Sequence, residues 1–199
     1  MNIFWLTFAV LLWGIVHSIM ASLGAKDWVR RNFGATGNRF YRLAYNIFSV
    51  ISFVPILWLM AILPDQVLYR IPAPWAYLLL AGQGAAIVML VVGVLQTDTL
   101  SFVGLRQLVE GEKRSSQLVT RGLYRWVRHP LYLAGLLFIW LTPVMSRNSL
   151  VVIIAATIYI IVGAFFEERK LEREFGQTYE EYRAKTPMLI PGLNFGRNK

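Results

Sequence analysis

The sequence predicts an all-α fold: a polytopic membrane bundle of about five transmembrane helices, with a C-terminal helical hairpin and a cytoplasmic amphipathic helix. Three observations carry this reading. The 199-residue chain is 56% hydrophobic and only 16% charged, against about 25% charged for an ordinary soluble domain. The charges are clustered, so that long uncharged runs alternate with short basic ones. Eighteen of the basic residues fall on one side of the resulting spans and two on the other.

Five runs approach the roughly 20 apolar residues that a helix needs to cross a bilayer: residues 2–23, 43–63, 74–96, 131–146 and 149–166. The first lacks a basic leading region, and its basic cluster follows it. It therefore reads as an uncleaved helix, despite the small residues of "SIMAS". The third carries "GQGAA" from Gly82 to Ala86. A dinucleotide-binding turn would need a strand before it, so these small residues are read as a place where helices approach closely. The fourth holds Pro143, expected to bend its far end. Only Arg147 and Asn148 separate the fourth from the fifth, which predicts a tight helical hairpin over 131–166. The chain thus divides into a three-helix part (1–96), a cytoplasmic loop (97–130), the hairpin, and a cytoplasmic helix with its tail (167–199), all within one integral-membrane domain.

Charge fixes the orientation. Lys26, Arg30, Arg31, Arg39 and Arg42 follow the first span. Arg106, Lys113, Arg114, Arg121, Arg125 and Arg128 precede the fourth, and seven more basic residues lie in the tail. The opposite loops hold only Arg70 and Arg147. The positive-inside rule then places the N-terminus outside and the C-terminus in the cytoplasm. The net charge of +9 is explained by this bias and by attraction to anionic lipid. No basic, polar domain exists to bind nucleic acid. With no cysteine and only two histidines, the chain has no disulfides, no thiolate chemistry and no expected metal site.

The dense polar sequence is cytoplasmic, and geometry brings two parts of it together. A helix leaving at Leu131 and another returning to Phe166 have similar lengths at about 1.5 Å per residue. Glu167 and Glu168 therefore return to the level of Arg128, His129 and Tyr132, forming one mouth. The same residues also fit a purely structural role. Arg and Tyr anchor helix ends at headgroup level, Pro130 suits a first helical turn, and "EERKLEREFGQTYEEYRAK" can be an amphipathic helix laced by pairs three and four apart. Two adjacent acids at the end of an apolar span are nevertheless costly unless water or cations satisfy them.

"LVTRGLYRWVRHPLY" (118–132), a short hairpin and "EERKLEREFGQTYEEYRAKTPMLIP" (167–191) together resemble the C-terminal half of the isoprenylcysteine carboxyl methyltransferase and phospholipid methyltransferase superfamily. The shared order is Gly-x-Tyr, Arg-His-Pro-x-Tyr, hairpin, Glu-Glu, Phe-Gly-x-x-Tyr. The N-terminal half, "VHSIMASLGAKDWVRRNFG" with "RFYRLAYN", resembles bacterial relatives: methanethiol S-methyltransferases, and membrane proteins associated with nitrite and nitric oxide reductase clusters. The resemblance implies S-adenosyl-L-methionine held on the cytoplasmic side, with the 97–130 loop contributing to its site. Its shell would comprise Gln107, Gln117, Leu118, Val119, Tyr124, His129, Pro130, Leu131, Tyr132, Glu167 and Glu168. The carboxyl methyltransferases carry an arginine in the fifth helix that is implicated in binding the prenylated substrate. The nearest residue here is Gly163, which argues against a prenylcysteine carboxylate as acceptor.

The chemistry of these residue types suits such a cofactor. A carboxylate of Glu167 or Glu168 can pair with its ammonium, and the faces of Tyr124 or Tyr132 can stabilise its sulfonium. Backbone groups of 117–119 can read the adenine edge, and His129 can donate to the carboxylate or ribose. The enzyme would mainly supply proximity, alignment and exclusion of water for an in-line methyl displacement. Acceptors compatible with this are a small thiol, a prenyl or lipid carboxylate, or a phospholipid amine. A thiol or amine must also lose a proton. His17 is the candidate base, with Tyr41 and Tyr45 as further candidates, and Arg128 is a candidate for orienting substrate. A non-catalytic membrane factor supporting assembly of a redox complex is the alternative from another class. A transporter would need charged residues in mid-span, and 43–63 and 131–146 have none.

Overall fold

The computed structural model describes residues 2–97, Leu105 and residues 117–193. In chain order the elements are α1 (Asn2–Ala21), α2 (Leu23–Ile62), β1 (Val67–Arg70), α3 (Trp75–Gln96), a 3-10 turn (Gly122–Arg125), α4 (Pro130–Trp140), β2 (Val144–Ser146), α5 (Arg147–Phe175) and α6 (Gln177–Lys185). Four helices among the described residues are long and apolar enough to cross a membrane: Ile3–Ala21, Arg39–Ile62, Trp75–Gln96 and Arg147–Phe175. The protein is an integral-membrane helical bundle. Its chain forms two compact units.

The first unit contains 2–68 and 146–155 of the described residues. Leu6 of α1, Ile56 of α2 and Val152 at the start of α5 form its buried core. Ser22 separates α1 from α2 and satisfies both ends. Its hydroxyl donates to the Ile19 carbonyl at 2.6 Å and accepts from the Ala25 N–H at 3.2 Å. Helix α2 is kinked at Gly34, whose φ of 62° lies in the left-handed region, where a side chain would be strained. At the opposite end, Asp65 Oδ1 accepts the backbone N–H groups of Gln66 and Asn148 at 2.8 and 3.0 Å. It thereby occupies one of the donors left unsatisfied where α5 begins.

The second unit contains 69–97, 117–145 and 156–193 of the described residues. Small residues allow α3 and α4 to pack closely. A Cβ on Gly93 would lie 2.7 Å from Leu131 Cδ2, and one on Gly82 would lie 2.8 Å from Leu141 Cδ1. Ala86 and Ala134 are buried, and Gln83 Nε2 donates to the Phe138 carbonyl at 2.8 Å. Gly82 and Ala86 of "GQGAA" thus sit at close approaches, whereas Gly84 faces open space.

Three expectations need correction. The fourth apolar run is not a spanning helix over 131–146. Helix α4 has only 11 residues, about 16 Å at 1.5 Å per residue, or about half of a bilayer core. Pro143 therefore bends no helix. It lies in the bend after α4, where its carbonyl accepts the Ile71 N–H at 2.9 Å, and β2 next to it pairs with β1 in a two-stranded sheet. Finally, the fifth run does not stop at Phe166. Helix α5 continues through both acids to Phe175, and Gly176, at φ 51°, breaks it from α6.

Candidate functional site

The site is assembled around Arg128, His129 and Pro130. Pro130 occupies the first turn of α4, where its missing N–H costs nothing and its fixed φ suits the helix. His129 precedes it with φ −122° and ψ 66°. The stretch is pinned by the chain's C-terminal segment: the N–H groups of Arg128 and His129 donate to the carbonyls of Pro187 and Met188 at 2.9 and 3.1 Å. Arg128, His129 and Glu168 are 9%, 6% and 6% exposed. Such burial is tolerated only if the charges are paired and hydrogen-bonded.

The pairing is complete. Arg128 Nε and Nη2 donate to Glu168 Oε1 and Oε2 at 2.8 and 2.7 Å, the forked geometry that favours arginine over lysine. Arg128 Nη1 donates to the carbonyls of Thr186 and Arg183. Glu168 Oε1 also lies 2.8 Å from His129 Nε2 and accepts the Tyr179 hydroxyl at 2.6 Å. Tyr179 is fully buried, and burial, followed by its bond to Glu168, raises its pKa. Glu168 is therefore a saturated hub. Glu167 differs: its side chain is 43% exposed, and its Oε2 lies 3.5 Å from His129 Nδ1.

His129 thus sits between two carboxylates, with its ring stacked on Tyr132 at 5.3 Å and 13°. Burial acts to lower its pKa. The hydrogen bonds and charges of Glu167 and Glu168 outweigh this and raise it above the ordinary histidine value. Tyr124, on the 3-10 turn, is pushed up to about 12 by burial and then by the Glu167 charge, so it stays a neutral phenol. Its turn is held from two sides. Gln96 Oε1 accepts the Leu123 N–H at 2.8 Å, and the Tyr182 hydroxyl donates to the Tyr124 carbonyl.

The structure therefore brings Arg128, His129, Tyr132, Glu167 and Glu168 together. Gln117 is exposed, and Leu118 and Val119 are half-buried in the extended lead-in to the 3-10 turn. Gln107 lies outside the described residues. His17 belongs to the first unit, where its ring stacks on Trp13 at 4.7 Å and its Nε2 lies 2.7 Å from the Tyr45 hydroxyl. Tyr41 in the same unit donates to the Met20 carbonyl at 2.5 Å. Among the described residues, no cluster of ligating side chains could hold a metal ion. Sequence reasoning marks Tyr179 only as the end of Phe-Gly-x-x-Tyr, with no role, and does not single out Tyr182, Gln96 or the 186–188 strap. The "FGQTYEEY" stretch holds a signal for the tyrosines, since an alternation of aromatic and charged residues after an apolar helix suits buried hydroxyls. Nothing local marks Gln96.

This arrangement offers a half-exposed carboxylate, a positively biased imidazole and two aromatic faces at the end of apolar helices. It suits recognition of a zwitterionic ligand that is also cationic elsewhere. Comparison with known proteins agrees. The phospholipid methyltransferase family profile matches residues 78–178. Methanethiol S-methyltransferase 2 of Bradyrhizobium diazoefficiens is 34% identical over 192 residues, covering 94% of this chain and 72% of that protein. The methanethiol S-methyltransferase of Mycobacterium tuberculosis is 30% identical, covering 90% of this chain and 74% of its own length. Human protein-S-isoprenylcysteine O-methyltransferase is 34% identical over 91 residues, covering 42% of this chain and 31% of that protein. No solved structure matches. The shared segment contains every residue from Tyr124 to Glu168 of the site, and the chain belongs to the phospholipid methyltransferase family as an integral-membrane methyltransferase.

Proposed function

We propose that this methyltransferase uses S-adenosyl-L-methionine as donor, binds it at the cytoplasmic mouth, and methylates a small membrane-permeant thiol. The observation that carries the donor reading is the division of labour between the two acids. Glu168 has both oxygens committed to Arg128, His129 and Tyr179, so it holds the site together. Glu167, bonded to His129 and Tyr132, keeps a half-exposed carboxylate that fits the ammonium of the donor. His129 Nδ1 lies on the same side and fits the donor's carboxylate. The phenol faces of Tyr124 and Tyr132 suit a sulfonium, while Gln117, Leu118 and Val119 offer backbone groups to a purine edge. When bound, the donor supplies a methyl group activated on a positively charged sulfur. The chain's own residues bind, orient and exclude water. Arg128 has every nitrogen engaged, so its role here is to position Glu168 and His129 rather than to touch substrate.

Two observations support the thiol. The near full-length relatives are thiol methyltransferases by name, whereas the carboxyl methyltransferase likeness covers 42% of the chain. Gly163 also stands where the latter resemblance implies an arginine. A thiol must lose its proton, and His17, bonded to Tyr45, is the proposed acceptor for it. The basic bias of the loops supports an inner-membrane setting with the N-terminus outside and the C-terminus cytoplasmic.

Calorimetric titration of the purified protein with S-adenosylhomocysteine tests the donor, and radiolabelled methyl transfer into separated thioether, lipid and protein fractions tests the acceptor. Binding abolished by Glu167→Ala, with label in a volatile thioether, is expected. No binding by well-folded protein would overturn the donor reading, and label confined to lipid would overturn the thiol.

A further inference from the structure

The 3-10 turn that carries Tyr124 has no cap of its own. Arg121 precedes it and its side chain caps nothing, although the first N–H groups of any such turn lack internal partners. The missing cap comes from another helix. Gln96, the last residue of α3, reaches across and accepts the Leu123 N–H through Oε1 at 2.8 Å. The amide can lie there only because residue 122 is glycine. Gly122 has φ +65°, and a Cβ on it would come within 2.4 Å of the Gln96 amide carbon, nitrogen and oxygen alike. Any side chain at 122 would therefore both strain the backbone and expel Gln96. From the opposite side, Tyr182 of α6 donates to the Tyr124 carbonyl.

We propose that Gln96 is a positioning residue of the methyl-donor site: with Gly122 it forms a clasp between α3 and the 3-10 turn that fixes Tyr124. The inference rests on the donor-site reading above and adds a role for a residue outside the motifs that carry the family resemblance. Among the described residues, Gln96 serves the clasp as an acceptor. Its geometry ties the end of a membrane helix to the segment facing Glu167, so the packing of α3 against α4 is transmitted directly to Tyr124.

Because Gln96 acts as an acceptor, its variants separate by whether they keep one. Gln96→Leu removes the acceptor and should weaken S-adenosylhomocysteine binding about tenfold, the scale of one hydrogen bond lost at a partly buried N–H. Gln96→Glu keeps an acceptor at the same reach and should bind within about twofold of wild type, since a carboxylate accepts an N–H at least as well. Gly122→Ala should lose at least as much as Gln96→Leu, since it also strains the backbone, and adding Gln96→Leu to it should cost nothing further, because both break the same contact. Hydrogen exchange at the Leu123 N–H should be fast in Gln96→Leu and slow in wild type and Gln96→Glu. Wild-type affinity in Gln96→Leu, failure of Gln96→Glu to rescue, or additive losses would each overturn the clasp. A well-folded wild-type chain that does not bind overturns the donor-site reading, and the clasp's role with it; failure of the clasp alone shows only in the variants.

Discussion

Glu167 and Glu168 are neighbours in sequence and chemically identical, yet their substitution should give opposite results. Glu168 is 6% exposed and receives four close contacts from Arg128, His129 and Tyr179. In Glu168→Gln the amide NH2 would face the Arg128 fork, donor against donor, and a buried guanidinium would lose its counter-charge. Breaking a buried pair by removing one partner costs about 3–5 kcal/mol. At about 2–4 °C per kcal/mol for a chain of this size, Tm should fall by roughly 6–20 °C. Glu167 has a half-exposed side chain that lies 3.5 Å from His129 Nδ1 and also bonds Tyr132. With the Glu167 side of the pair half in solvent, and with Glu167→Gln keeping an oxygen beside His129, the loss should be about 1 kcal/mol or less, so Tm should shift by less than about 4 °C. Its loss should instead remove ligand: S-adenosylhomocysteine affinity should fall at least about tenfold, the scale of a charge-assisted bond. Thermal unfolding and calorimetric titration of both variants in the same detergent decide the matter. Equal losses of Tm in the two variants, or Glu168→Gln within about 4 °C of wild type, would refute the assignment of one acid to structure and the other to ligand.

The His129 environment sets a pH dependence. Its folded pKa is raised above the ordinary value of 6.5, so its contribution to stability is fully present below about 6.5 and is lost as pH rises through the elevated folded value. Tm measured across that window should decline more steeply in wild type than in His129→Gln; parallel curves would contradict the double-carboxylate environment. Tyr179→Phe keeps the buried ring and removes one donor to Glu168, and should cost about 1–3 kcal/mol by denaturant unfolding. Gly93→Val forces a branched side chain into the 2.7 Å approach to Leu131 and should destabilise by about 1–3 kcal/mol, whereas Gly84→Val, where nothing lies within 4 Å, should not. If His17 accepts the thiol proton, His17→Asn should lower kcat at neutral pH by at least about 100-fold while S-adenosylhomocysteine affinity stays at the wild-type value; a variant with unchanged kcat would exclude it as the base.

Much of the fold is legible in the chain's local patterns. Runs of apolar residues of bilayer length announce a membrane bundle because lipid admits helices and excludes unpaired backbone. The grouping of basic residues implies a sidedness. The meeting of His129 with the two acids is legible too, because two helical legs joined by a short turn must return to the same level. That meeting holds even though the fourth helix is shorter than its apolar run suggests. Helix α4 stops at Trp140, and a turn followed by β2, at about 3.3 Å per residue in the strand, covers the remaining distance. Apolar residues such as Leu141 and Val144 suit either conformation, so composition does not separate them.

What the sequence by itself determined is therefore the solvent, the class of fold and the cast of polar residues at one mouth: these follow from local hydrophobicity and fixed helical rise. What only the tertiary structure decided is which member of the cast does what. Adjacent residues on a helix point about 100° apart, so Glu167 and Glu168 cannot both face the same way, and the phase of α5 against its neighbours selects which is buried. Arg128 could equally have met a lipid phosphate. It meets Glu168, 40 residues away, and the carbonyl of Thr186, 58 residues away, because burying a guanidinium requires all its donors to be matched at once. That requirement acts through space, and no local pattern in the chain records it.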